Sequence, residues 1–211
     1  LDSMSFERIR QEAIKAHSRG GINSISWHLR NPNTGGSSWD VSDNQTVASI
    51  LPGGSHHATY AAWLDRLAEY LNRFEDKEGT KIPLIFRPFH EHTGSWFWWG
   101  KNHCTPEQYK ELFSMTVDYL RKTKHINHLL ITYSPDRVYS EAEYFERYPG
   151  DDYVDILGID WYHKPEMDTP QSFIDGVTQT ALMIKKNAEA RNKPFVFSET
   201  GLEKLPISDW F

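Results

Sequence analysis

Apolar residues along the chain switch repeatedly between a helical and an extended period. Phe6, Ile9, Ala13 and Ile14 share one face of a helix predicted over residues 6–19, which Gly20-Gly21 stops. Residues 22–29 then read as a strand. A polar, glycine-rich stretch covers residues 31–55, and loops of that length in compact proteins are functional or carry small elements of their own. Residues 58–74 are predicted helical and 82–90 extended. The clearest helix spans residues 105–122. Thr105 is its N-cap, Pro106 opens the first turn and Gln108 completes a capping box. Tyr109, Leu112, Phe113, Thr116, Val117 and Leu120 form its buried stripe. Further strands are predicted at residues 128–134, 154–161 and 195–198. A short helix over 141–148 and a long one over 169–191 separate them.

Five strands, each divided from the next by a helical segment, imply parallel pairing through right-handed crossovers. A doubly wound sheet and a (β/α)8 barrel both fit that alternation. No G-x-G-x-x-G follows a strand and no G-x-x-x-x-G-K-[ST] occurs, which weighs against nucleotide-binding doubly wound folds.

Composition narrows the class further. The 211 residues carry 29 acids and 23 bases, a formal net charge of −6, with no basic stripe to release counterions from a nucleic acid. No apolar run approaches the length of a membrane span, so no membrane insertion is expected. The 8 Trp, 10 Tyr and 11 Phe are incompatible with a disordered chain. Cys104 is the single cysteine, which excludes an internal disulfide and a multi-cysteine metal site.

Chemistry gathers where the strands end. One ends in Ser26-Trp27-His28, one in Arg87-Pro88-Phe89-His90-Glu91-His92, one in Asp160-Trp161-Tyr162-His163 and one in Glu199. Polar residues at the C-terminal ends of several parallel strands are how a barrel enzyme builds its site. Glu91 and Glu199 each follow an apolar strand directly, so they rise from one rim. Hydrolysis of a glycosidic bond needs such a pair: one carboxyl protonates the leaving oxygen, and the other attacks the anomeric carbon or activates water. A lone strand-end glutamate is more often a surface residue or an ion-pair partner. Two of them, one inside Arg-x-x-His-Glu-His, shift that balance. Arg87, four residues before Glu91, is placed on its face of the strand, where a guanidinium favours an ionised carboxylate. Asp160 and Tyr162 share a face above Gly158, and a tyrosine hydroxyl there is able to hydrogen-bond a carboxylate.

His90 and His92 alternate along the predicted strand and suggest a metal pair. No third and fourth ligand follows at recognisable spacing, so neither metal nor cofactor is expected. In the loop Gly94-Ser95-Trp96-Phe97-Trp98-Trp99-Gly100 one or two rings belong to the core, and the rest are expected to form a platform beside Glu91 on which a sugar face stacks. Trp27, Trp39 and Trp161 would extend it.

These motifs, together with Tyr133-Ser134-Pro135-Asp136 and Ser198-Glu199-Thr200-Gly201, occur in an order and spacing that resembles glycoside hydrolase family 26, the mannanase family of retaining (β/α)8 enzymes. The resemblance implies that Glu91 is the general acid/base, with a raised pKa, and Glu199 the nucleophile. It implies that His90 and Arg87 support the pair, that Tyr162 hydrogen-bonds Glu199, and that Trp96 and His28 contact the sugar. The implied partner is a β-mannan polysaccharide or its oligosaccharides, and because polymeric mannan does not enter a cell, the implied location is secreted, periplasmic or cell-surface. Family members also act on β-glucan and β-1,3-xylan. The alternatives are a carbohydrate-binding protein without catalysis, and a metal-dependent hydrolase using His28, His90, His92 and Glu91.

The family has eight strands, and a complete barrel takes about 250 residues. The five strands here resemble its third to seventh, so residues 1–211 are expected to form one partial catalytic domain lacking the first two strands and the last. Trp210 follows Gly201 too closely to be the tryptophan that the family's last strand brings. Five parallel strands would leave two open edges, so the chain by itself is expected to be weakly stable or to associate. Sedimentation and thermal unfolding at several concentrations test this; a monomer with a sharp, concentration-independent transition would contradict it.

Overall fold

The computed structural model describes residues 5–202; Trp210 lies outside them. Within this span are five strands, β1 (Asn23–Ser26), β2 (Leu84–Arg87), β3 (Leu129–Tyr133), β4 (Ile156–His163) and β5 (Phe195–Leu202). Six α-helices accompany them: α1 (Phe6–Ser18), α2 (Thr46–Ile50), α3 (His57–Leu71), α4 (Pro106–Asp118), α5 (Glu141–Phe145) and α6 (Pro170–Ala190). The strands are all parallel and lie in chain order, β1-β2-β3-β4-β5. A doubly wound sheet reverses its order at a switch point. Unbroken order is the winding of a barrel, and the sheet is a curled part of one.

Alternation along the strands separates two faces. Leu84 and Phe86 on β2, Leu129 and Ile131 on β3, and Leu157 and Ile159 on β4 are buried on the helical side. Arg87, Asp160, Tyr162 and Glu199 meet on the other face through hydrogen bonds. The helix α4 forms as its sequence dictates. Thr105 accepts from the Gln108 amide, the Gln108 side chain closes the capping box, and Tyr109, Leu112, Phe113, Thr116 and Val117 are buried. A π-helical turn, Tyr119–Thr123, finishes it. A second capping box, Thr169 with Ser172, starts α6.

Two local expectations change, at α1 and β2, and the long polar stretch carries a small element of its own, α2. No residue of α1 is buried: Phe6 and Ile9 are exposed, and only Ala13 and Ile14 rest against the core. The stretch over residues 31–55 folds around the buried Asn31, whose carbonyl oxygen accepts from the amides of Asn33 and Thr34 and from the Thr46 hydroxyl at the start of α2. Strand β2 ends at Arg87 rather than at residue 90. Beyond it Phe89 and Glu91 take left-handed φ values of 51° and 54°, so the acid-bearing segment is a turn.

Candidate active site

Arg87 ties three strand ends together. Its Nη2 donates to Asp160 Oδ2 at 2.5 Å and its Nη1 to Glu199 Oε1 at 2.7 Å. Nε and Nη2 also donate to the Ser134 hydroxyl just past β3. The Ser198 hydroxyl donates to the other oxygen of Asp160 at 2.6 Å. A register shift between Ile159 and Asp160 lets β5 turn both Ser198 and Glu199 toward this cluster. Gly158 makes the approach possible, because a Cβ there would lie 3.0 Å from the Ser198 Oγ and 3.1 Å from the Ser134 Cβ. Tyr162, two residues beyond Asp160 on the same face, donates its hydroxyl to Glu199 Oε2 at 3.0 Å.

Glu91 arrives from the turn. Its amide donates to the Ser134 carbonyl at 2.8 Å, and its Oε2 accepts from Trp96 Nε1 at 2.8 Å. Single oxygens of Glu91, Asp160 and Glu199 lie within 4.8 Å of one another. Three carboxylates at that spacing could hold a cation, but Arg87 already supplies a positive charge bonded to two of them. The surroundings divide the two glutamates. Burial pushes Glu91 up to about 7, with Asp136 and Glu199 adding to the rise and the Trp96 hydrogen bond opposing it. Burial also acts on Glu199, but the hydrogen bond and charge of Arg87, with His90 and Tyr162, outweigh it and hold this carboxyl below its ordinary value. Asp160 is the buried counter-ion of Arg87: burial pushes its carboxyl up, and Arg87 and Ser198 pull against that rise. His90 is lowered to about 3 by burial and by Arg87, so its ring is neutral. His28 is lowered for the same first reason, burial.

The structure brings together Glu91, Glu199, Arg87, His90, Asp160, Tyr162, His28 and Trp96. His28 stacks under the exposed Trp39 with ring centroids 5.6 Å apart and meets His90 edge-on at 4.7 Å. Five expectations need correction. Arg87 hydrogen-bonds Glu199 and Asp160 rather than Glu91, because the chain leaves the strand before Glu91. Trp161 is buried on the opposite face of β4, packed on Gly176 of α6, since alternation turns it away from Asp160 and Tyr162. Trp27 leans on Phe86, a residue of the helical face. The aromatic loop is no open platform: Phe97, Trp98 and Trp99 are buried and only Trp96 reaches Glu91. His92 does not face the site with His90 either; its buried ring lies between Tyr109 and Tyr133, at 4.3 and 4.7 Å, so the four suggested metal ligands do not converge.

Ser134, Ser198, Asp136 and Lys164 were not among the expected site residues. The first three stand in motifs already noted at strand ends, which was their available signal. Lys164 carries none; it follows β4 and places its ammonium 5.3 Å from the Trp96 ring centre. With Glu91, Trp96, Tyr162 and His163, Asp136 and Lys164 line a pocket of about 220 Å³.

Known proteins resemble this chain. The model of glycosyl hydrolase family 26 matches residues 2–204. A mannan endo-1,4-beta-mannosidase of Bifidobacterium adolescentis is 40% identical over 92% of this chain, and one of Bacillus subtilis is 33% identical over 86%. A solved GH26 beta-mannanase from Bacteroides ovatus superposes with a TM-score of 0.94 at 46% identity over the whole chain. The chain spans 19%, 48% and 60% of these three relatives, respectively.

The raised carboxyl of Glu91 has a consequence for stability. Between its ordinary value of 4.5 and about 7 the folded state holds a proton that the unfolded chain releases, so this group lowers stability as pH rises through that window. The full shift corresponds to about 3 kcal/mol, and solvent in the open pocket screens part of it. Glu91→Gln is therefore expected to stabilise the protein by about 1–2 kcal/mol at pH 8 and to change little at pH 4. Urea unfolding at the two pH values measures this; equal effects at both would contradict it.

Proposed function

The chain belongs to glycosyl hydrolase family 26, and from that premise we propose that it is the catalytic part of a retaining endo-β-1,4-mannanase acting on mannan, galactomannan or glucomannan. The supporting observation is the pair Glu91 and Glu199, with oxygens within 4.8 Å and their pKa values pushed apart. Inverting enzymes hold their carboxyls about 6.5–9.5 Å apart to admit a water, whereas retaining enzymes hold them at about 5–5.5 Å. The close pair fits direct attack by one carboxylate.

Glu199 is the nucleophile. Arg87 and Tyr162 keep it ionised and aimed, and it forms a covalent bond to the anomeric carbon. Glu91 begins protonated and gives its proton to the departing glycosidic oxygen. Left as a carboxylate, it then takes a proton from the water that hydrolyses the glycosyl-enzyme. Neutral His90 fills the space between Arg87 and His28 without competing for that proton. A non-catalytic binding protein has no need of two carboxyls with divided protonation, and this disfavours the binding-only alternative. Because the substrate is a polymer, the enzyme acts outside the cytoplasm.

Glu199→Ala is expected to abolish release of reducing ends from mannan. Glu91→Ala should slow mannan hydrolysis by about 10²–10⁴, and slow glycosides with a nitrophenyl leaving group far less. Reducing-sugar and chromogenic assays on the same preparations test both. An unchanged rate in either variant removes that residue from the mechanism.

A further inference from the structure

Tyr162 aims Glu199, so whatever fixes Tyr162 reaches the nucleophile. Its ring rests on Gly201 of β5, where a Cβ would lie 2.8 Å from the ring's Cε1. Its main chain is fixed from the opposite side. Backbone hydrogen-bonding groups alternate in direction along a strand. The Tyr162 carbonyl therefore points the same way as the Asp160 amide, which donates to the Pro135 carbonyl at 2.9 Å. At the height of Tyr162 the strand β3 has already ended, and a carbonyl there needs another donor. Arg137, two residues beyond Pro135, supplies it: Nη2 donates to the Tyr162 carbonyl.

The guanidinium is held in turn by Asp168. Nη1 donates to Oδ1 at 3.0 Å and Nη2 to Oδ2 at 2.5 Å, a bidentate pair whose side chains are 7% and 10% exposed. The Trp161 ring, centred 5.3 Å from the guanidinium carbon, packs against it. Asp168 also accepts from the Lys164 amide at 2.9 Å, and its own amide donates to the Lys164 carbonyl at 2.8 Å. A continuous series of hydrogen bonds thus runs from Asp168 through Arg137 and Tyr162 to Glu199. Neither Arg137 nor Asp168 lines the pocket beside Glu91, so their route to the chemistry is through Tyr162.

We propose that Arg137, held by Asp168, is a positioning residue for the nucleophile: it fixes the main chain of Tyr162 so that the Tyr162 hydroxyl meets Glu199. This rests on the glycosidase reading above. The step it serves is the attack of Glu199 on the anomeric carbon, and proton transfer by Glu91 does not depend on it.

Single-turnover release of dinitrophenolate from a dinitrophenyl β-mannobioside isolates that step, because this leaving group departs without a proton. With protein in saturating excess the rate constant is that of folded molecules, so a clamp that only tied β4 to α6 would leave it unchanged. Arg137→Met is expected to lower it by about 10-fold, the scale of a lost charge-assisted hydrogen bond. In protein that also carries Tyr162→Phe, which has no hydroxyl to misplace, the same substitution should change the rate by less than about twofold. Asp168→Asn, which loosens the guanidinium and keeps the packing, is expected to give a smaller loss that also vanishes with Tyr162→Phe, and it decides the matter where Arg137→Met does not fold. Undiminished rates in these variants, or equal losses with and without the Tyr162 hydroxyl, would overturn the proposal. Absence of dinitrophenolate release by the unsubstituted protein would instead overturn the glycosidase reading and this proposal with it.

Discussion

A buried guanidinium organises the site. The Arg87 side chain is 5% exposed and that of its partner Asp160 is fully buried, yet they join β2, β4 and β5 at one height. A buried ion pair adds little net stability, because desolvation offsets its attraction, but removing one partner costs about 3–5 kcal/mol. The benefit lies in charge placement. One cation serves two carboxylates, Asp160 and Glu199, and leaves the third, Glu91, without a cationic partner. Burial then lets Glu91 keep its proton, while Glu199, within 4.8 Å, is held ionised by Arg87. Acid and nucleophile are distinguished by the balance of burial, which prevails at Glu91, against the hydrogen bond and charge of Arg87, which prevail at Glu199.

The acid is placed by strain held in check. Left-handed φ values at Phe89 and Glu91 each cost about 1–3 kcal/mol unless the surroundings enforce them. Here aromatic donors do so. The Tyr109 hydroxyl holds the Phe89 carbonyl, and Trp99 Nε1 holds the His90 carbonyl. Trp98 Nε1 reaches across to the Leu29 carbonyl past β1. The rings buried after Gly94 thus act as a clamp on the turn that carries Glu91, and Trp96 alone extends into the pocket.

The repeating features were legible in the sequence. The α4 stripe, its Thr105–Gln108 box and all five strands follow from periodicity and capping chemistry, whereas the pairing of Tyr162 with Glu199 was implied by the family resemblance. Strand order was not legible, since alternation suits barrel and doubly wound sheets alike until pairing is seen. The misplaced residues have two causes. Period-two counting continued past Arg87, where the chain turns, so Glu91 was put on the face of Arg87 and His92 beside His90. Trp161 and the rings of the aromatic loop were judged by type, and burial depends on contacts distant in sequence, such as Gly176 beneath Trp161. Lys164 was invisible because a lysine after a strand is ordinary until its neighbour is Trp96.

The division of charge between the two glutamates is the claim on which the account stands. It is measured most directly by titrating both side-chain carboxyls by NMR in protein carrying carbon-13 glutamate, with Glu91→Gln and Glu199→Gln used to assign the signals. The account predicts that Glu91 titrates at about 7 and Glu199 below the ordinary carboxylate range. Two carboxyls that both titrate near the ordinary value of about 4.3, or a reversed order, would contradict it.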